Sequence, residues 1–277
     1  MKTLVKIRIM QERHKDRKQY FNEQGITTSK YVIPYISEFK SITDKIRILE
    51  IGCGEGGNLI PFVEIGCEVV GVDLNSGQIG NAREFISEHY QDSKVDLLNQ
   101  NIYDIGTEDI GSFDIVMLRD VIEHIPNQDK FLKHLKSFLK PDGIVFFGFP
   151  PWCMPFGGHQ QICRSKLLSK TPYFHLLPVV LYKLVLKLFG ETEGIINSLL
   201  EIKETGIGIN RFQRIVAKNG YKFLKKTFYL INPNYEVKFG LKQRTQFKIV
   251  QAIPYFRDFL TTCLYSVIKM DNTSPDK

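Results

Sequence analysis

The sequence lacks any uninterrupted apolar run near the ~18 residues that a membrane-spanning helix needs, which excludes a polytopic transporter or channel. Its first eight residues carry charge without the apolar core of a secretory leader, so export through one is not expected. Cysteine is scarce, with five scattered residues in a chain of 277. An odd, dispersed set excludes a disulfide framework and suits a reducing compartment, so the cytoplasm is the expected location. Internal repeats and low-complexity tracts are missing too. Charged residues at 24% and hydrophobic residues at 43% are ordinary globular values, which excludes wholesale disorder.

Acids are what the carboxyl-terminal third has least of. The net charge is +7, and residues 211–248 hold ten Lys or Arg against one acid, Glu236. That bias favours an anionic partner: a phosphorylated or carboxylated substrate, a lipid surface or RNA. A solvated basic face that serves only solubility is the competing explanation.

What the chain does contain is a regular alternation. Residues 11–22 are highly charged, and residues 29–39 place Tyr31, Ile33, Ile36 and Phe39 at helical spacing, predicting amino-terminal helices that cap a site or a sheet edge. Strands are expected at 47–51, 68–73, 95–99, 114–119 and 144–149, with helices at 57–65, 76–90 and 128–139. β-branched strands alternating with helical patterns imply right-handed βαβ units on a buried parallel sheet, a doubly wound α/β fold. Beyond Pro150 the alternation stops in a loop rich in Pro, Gly and aromatic residues. Helices around 175–189, 191–203 and 210–219 follow, then strands at 222–231 and 236–242, a last amphipathic helix at 254–270 and a frayed tail. The expected organisation is a helical cap (1–45), a ligand-binding core (46–150), a helical lid (151–209), the core's final helix and strands (210–250), and a terminal helix with tail (251–277).

Glycines at 52, 54, 56 and 57 directly follow the first strand, in Glu50-Ile-Gly-Cys-Gly-Glu-Gly-Gly57. A strand turning sharply into a helix needs residues free of Cβ clashes, and the missing side chains let a ligand approach the backbone. Gly52-x-Gly54-x-x-Gly57 also satisfies the dinucleotide fingerprint. The next strand ends at Asp73, where a carboxylate can accept hydrogen bonds from ribose hydroxyls. By this spacing alone a nicotinamide or flavin cofactor stays open.

The larger constellation resembles the class I S-adenosylmethionine (SAM) dependent methyltransferases, in particular the small-molecule group that includes ubiquinone-biosynthesis-type enzymes. The resemblance covers about residues 48–149. It implies a Rossmann-like sheet of seven strands, mostly parallel with an antiparallel terminal hairpin, plus a helical insertion. It also implies SAM as cofactor. Glu50 would orient the glycine loop, with Gly52, Cys53 and Gly54 lining the methionine part, and Asp73 with Leu74 would hold the ribose. Asn101 and Ile102 would lie beside the adenine, with Asn101 standing where the family usually has an acid. The run Phe113-Asp-Ile-Val-Met-Leu-Arg-Asp-Val-Ile-Glu-His-Ile125, followed by Leu139-Lys-Pro-Asp-Gly143, would place Arg119 and Asp120 near the methionine end and His124 just beyond.

Methyl transfer from a sulfonium is an in-line displacement, so alignment can supply most of the catalysis. An oxygen nucleophile would benefit from a base, for which Asp120, His124, His159 and His175 are candidates. His159 stands out because it follows the Gly157-Gly158 pair beyond the fifth strand, the end of an open α/β sheet where ligands bind. Cys153, His159 and Cys163 fall short of a zinc site, so no metal is expected. In the lid, Trp152, Phe156, Tyr173 and Phe174 are expected to wall an apolar pocket. The helix at 175–189 is apolar nearly all round, with core packing the commonest fate and a dimer interface or membrane surface the others. The expected helix at 255–270 poses the same question, and if both lie at an interface a lipid or polyprenyl-linked acceptor follows. A nucleic-acid substrate is disfavoured, because the Asn/Asp-Pro-Pro-aromatic signature is missing after the fourth strand. A catalytically silent SAM-fold module that binds a partner or membrane remains the reading from another class.

Overall fold

The computed structural model describes residues 16–91 and 93–271, so part of the expected 11–22 helix and most of the tail lie outside the described residues. Strands β1 (Arg47–Ile51), β2 (Glu68–Val72), β3 (Val95–Leu98), β4 (Phe113–Arg119) and β5 (Leu139–Phe149) form the parallel half of one eight-stranded sheet. Strands β6 (Tyr221–Ile231), β7 (Arg244–Thr245) and β8 (Cys263–Met270) complete it in the order β3-β2-β1-β4-β5-β8-β6-β7. β8 runs antiparallel to both β5 and β6. The sheet thus has one strand more than expected, because the two-residue β7 pairs along the edge of β6.

Helices α1 (Arg17–Thr27), α2 (Ile60–Ile65), α3 (Ser76–Ser87), α4 (Gln128–Leu135), α5 (Val179–Leu188), α6 (Glu193–Thr205) and α7 (Ile209–Lys218) surround the sheet. Period-two alternation sends Leu49 and Ile51 of β1 to a layer with Phe131 and Leu135 of α4 and with Phe212 and Val216 of α7. Ile48 points the other way, among Phe62 of α2, Ile79 and Ala82 of α3, and Phe21 of α1. With both faces covered, the central strands need no polar alternation, which is why they read as continuous apolar runs. Phe147 of β5 meets Phe212 edge to face with centroids 5.0 Å apart. Truncating such a buried ring to Ala costs about 3–5 kcal/mol.

Two expected elements take another form. The expected strand at 236–242 is instead a helical turn, Asn234–Phe239. Asn232 starts it by accepting the N–H of Asn234 at 3.0 Å, and Gly240 ends it in the left-handed region at φ 67°. The expected helix at 254–270 shrinks to Phe256–Leu260 and then becomes β8. Leu264 and Ile268 fill one layer while Cys263, Tyr265 and Val267 fill the other. An apolar run buried on both faces has no period of its own, and the gap between β5 and β6 selects the strand.

The lid carries a small core of its own, built on Cys163, Leu168, Phe174, Tyr182, Leu186, Ile196 and Leu199. Only one stripe of α5 packs into it. Val180 is 79% exposed, Leu184 60% and Leu188 80%, so core packing accounts for only part of this apolar helix. Among the described residues, no helix is long and apolar enough to cross a membrane.

Candidate active site

Between β1 and β4 the strand order reverses direction, and there the loops after β1, β2, β3 and β4 leave the sheet at the same carboxyl-terminal end. The turn after β1 is built for close approach. Gly52 has φ 72°, and a Cβ there would stand 2.4 Å from a methyl of Val121. Gly57 is closed from the other side, because a Cβ would meet the carbonyl oxygen of Phe21 on α1 at 2.3 Å. The amino-terminal helix therefore lies directly on the glycine turn. The turn stays open through Asn58, so α2 starts at Ile60 rather than at the expected 57.

Asp73, just after β2, locks this turn. One of its carboxylate oxygens accepts the N–H of Gly54 at 2.9 Å, and the other accepts that of Asn75 at 2.8 Å. The N–H groups of Gly52 and Cys53 both donate to Val72, so Cys53 keeps the turn against β2 while its thiol is buried. Leu74, beside Asp73, is 73% exposed and presents apolar surface outward. Asn101 follows β3 with its side-chain oxygen accepting the N–H of Tyr103 at 3.1 Å. Ile102 is buried in the core, with its carbonyl bonded to His134.

Beneath the turn lies a buried polar chain. Glu50 accepts from the side-chain amide of Asn58 at 2.7 Å, and the Asn58 oxygen accepts from Arg119 at 2.5 Å. The same guanidinium donates to the Thr28 hydroxyl at 2.8 Å. The second Glu50 oxygen is buried without a hydrogen-bond partner. Burial pushes the Glu50 carboxyl up to about 8, against the opposing pull of Asn58 and Arg119. Asn58 and Thr28 were not foreseen from the sequence; only the adjacency of Asn58 to Gly57 could have suggested it.

At the far end of β4 the backbone is strained. Asp120 adopts φ 55° while its N–H donates to Gly148 of β5 at 2.8 Å. Non-glycine residues in this region cluster at functional sites. A single turn, Ile122–His124, follows, and helix α6 of the lid packs against it. His159, with φ 53°, brings its ring edge to face against His124, centroids 4.9 Å apart. Burial holds the His159 imidazole down at about 4, with the charges of His124 and His175 adding. Burial lowers His124 as well. Close to both lies Glu123, 3% exposed, with neither carboxylate oxygen hydrogen-bonded to another side chain. The structure thus brings together Asp120, His124 and His159, three candidates far apart in the chain. It adds Glu123, which the sequence shows only as a helix-capping acid.

Other lid residues have structural duties. His175 is buried, bonded through Nε2 to the carbonyl of Trp152 at 2.8 Å, and its own carbonyl accepts from Lys203. That removes it from the candidate bases. Phe174 packs on Tyr182 inside the lid core, and Trp152 packs edge to face on His175. Cys163 is buried in the same core. Among the described residues it forms no ligand group with His159.

Known proteins bear on this arrangement. The methyltransferase-domain family matches residues 19–151. A ubiquinone biosynthesis O-methyltransferase of Rhodopseudomonas palustris is 31% identical over 105 residues, covering 38% of this chain and 40% of that protein. One from Aromatoleum aromaticum is 33% identical over 101 residues, covering 36% and 42%. The chain therefore spans about two fifths of the curated relatives it matches. Among solved structures, a putative sarcosine dimethylglycine methyltransferase from Galdieria sulphuraria shares the fold with a TM-score of 0.57 at 15% identity, covering 89% of this chain and 86% of that one. Magnesium protoporphyrin IX methyltransferase from Synechocystis, crystallised with S-adenosylhomocysteine (SAH), does so with a TM-score of 0.53 at 15% identity, covering 89% and 83%.

Proposed function

We propose that this chain, whose residues 19–151 match the methyltransferase-domain family, is a class I SAM-dependent enzyme that transfers the methyl group of SAM to an oxygen of a small molecule. The observation that carries this reading is the glycine turn pinned by Asp73 and closed from above by α1, with the His124–His159 pair at the same end of the sheet. Gly52, Cys53 and Gly54 would face the methionine part of SAM, with Glu50 and Arg119 fixing their floor through Asn58. Asp73 and Leu74 would take the ribose, and Asn101 and Ile102 the adenine edge. Asp120, His124 and His159 would form the acceptor end.

The chemistry asked of the protein is modest. The acceptor oxygen must lie in line with the methyl carbon and sulfur, and alignment of this kind supplies up to roughly 7–11 kcal/mol of a barrier. Both imidazoles are neutral near pH 7, able to accept a hydrogen bond from the acceptor hydroxyl. The O-methyltransferase names of the partial relatives support oxygen over nitrogen.

The acceptor's character follows from the lid. Val180, Leu184 and Leu188 stand exposed on α5 beside Lys183 and Lys187, a pattern suited to an anionic lipid surface. We infer an acceptor with an apolar tail, reached by a cytoplasmic enzyme resting on a membrane. Calorimetry with SAM, followed by SAH release on a panel of hydroxylated aromatic acceptors, tests the function. Absence of binding at millimolar SAM would instead favour a silent module of the same fold.

A further inference from the structure

We propose that the loop between β7 and β8, residues 246–261, is a second docking element, built to seat on a bilayer surface that contains anionic lipid. Its construction is inverted. Arg257 and Asp258 turn inward and are buried: Arg257 donates to the carbonyl of Gln251 at 3.0 Å and to Gln213 of α7 at 3.1 Å, and Asp258 accepts the N–H of Ile209 at 2.8 Å. Gln246, also buried, closes the base of the loop by donating to the carbonyl of Leu260 at 2.6 Å. The apolar side chains face outward. Ile249 is 75% exposed, Tyr255 68% and Phe247 52%, with Ile253 and Phe256 close to half exposed.

A lone apolar side chain on a surface is ordinary, but a short loop that holds its charges in and its apolar groups out marks a docking surface. The backbone agrees. Tyr255 has φ 65°, a conformation costly for an aromatic residue, and it carries an exposed ring.

Charge selects the occupant. From Gly240 to Leu260 every exposed charge is positive, on Lys242, Arg244 and Lys248, and the one acid of this stretch is the buried Asp258. Cations beside aromatic and aliphatic side chains suit the headgroup region of an anionic leaflet. A protein groove would instead take an amphipathic helix with anchors over two turns. The helical turns here, Lys248–Gln251 and Phe256–Leu260, are too short for that stripe. Single-stranded nucleic acid would stack on the rings but leave Ile249 and Ile253 without a role.

The loop also meets the lid. The Tyr173 hydroxyl donates to the carbonyl of Phe259 at 3.0 Å, with the two rings 6.2 Å apart, just before the chain enters α5. Two apolar elements from separate segments fix how a protein sits on a membrane, where one only tethers it. The proposal deepens the membrane reading of α5 and rests on it for the lipid; the methyl-transfer assignment does not enter. Both elements lie outside residues 19–151, which match the methyltransferase-domain family.

The test uses the full chain with vesicles of phosphatidylcholine alone or with about one third phosphatidylglycerol. Wild type should sediment with the anionic vesicles and less as salt rises. The triple variant Ile249→Ser, Ile253→Ser, Phe256→Ser should bind them at least about tenfold more weakly, with SAM affinity and melting temperature near wild type. Tyr255→Trp should show a blue-shifted emission on adding anionic vesicles, beyond the wild-type signal of Trp152. Equal sedimentation of wild type and the loop triple, with loss only in an α5 variant, overturns the loop while leaving the α5 reading in place. Sedimentation of neither wild type nor variants overturns both membrane assignments, and leaves SAM binding untouched. A dimer of wild type that the loop triple dissolves would assign the face to a second copy of the chain and overturn the proposal.

Discussion

Asp73 reaches back across the strand end to accept the backbone N–H of Gly54 at 2.9 Å, so the carboxylate proposed to meet a ribose also sets the shape of the glycine turn. Its second oxygen takes the N–H of Asn75 at 2.8 Å, the residue whose own side chain caps α3 by accepting from Gln78. Removing it should therefore damage cofactor binding twice over. Asp73→Ala is expected to abolish measurable SAM binding. Asp73→Asn, which can still accept from Gly54, should retain a weakened affinity. Calorimetry decides, and wild-type affinity in the Ala variant would remove Asp73 from the site.

Glu50 gives a pH signature. Its folded pKa of about 8 lies above the ordinary 4.5, so between those values the unfolded chain has released a proton that the folded chain still holds. Stability without ligand must then fall as pH rises from about 4.5 to about 8, by up to about 1.4 kcal/mol for each pH unit in that window. Glu50→Gln keeps the Asn58 hydrogen bond and has no proton to lose. It should melt higher than wild type at pH 8, with the difference shrinking toward pH 5, in a thermal scan without SAM. A pH-independent difference would mean that Glu50 is already ionised in the fold.

The parallel half of this fold is legible in sequence because strand and helix periods differ, and because the Glu50–Gly57 turn carries steric information that only glycine can satisfy. Asp73 is legible for the same reason, since it sits at a fixed place in a βαβ unit. The segment from Cys263 to Met270 misleads because burial on both sheet faces erases any period. The turn at Asn234 misleads because its end is set by Gly240 and by the contacts of Glu236 with Lys30 and Tyr31 of the amino-terminal segment. Glu123 was legible only as a helix-capping acid, because its neighbour His159 is delivered by a different loop. His175, which shares a loop-and-aromatic setting with His159, is instead fully buried and bonded to the carbonyl of Trp152, whereas His159 faces His124.

The exposed side of α5 predicts a surface property. Val180, Leu184 and Leu188, with Lys183 and Lys187 nearby, should bring the protein onto vesicles containing anionic lipid, more weakly as salt rises. Replacing the three apolar residues with Ser should reduce sedimentation with such vesicles severalfold. The melting temperature should change little, because most of each side chain is exposed. Equal partitioning of wild type and variant would show that the helix faces another partner.

His159 separates acceptor chemistry from cofactor binding. Because φ is 53°, alanine at this position would add backbone strain to the loss of the ring, so Asn is the cleaner replacement. With the imidazole gone, the acceptor hydroxyl loses its neighbour across from His124, and turnover should fall about 10²-fold or more. The glycine turn and Asp73 are untouched, so the dissociation constant for SAM should change little. Wild-type His159, held near 4, stays neutral from pH 6 to 9. Its own protonation therefore cannot set an acid limb in that range, and any limb found there in a kcat profile must come from the acceptor or another group. A His159→Asn enzyme that loses SAM affinity in step with turnover would assign the residue to the cofactor pocket instead.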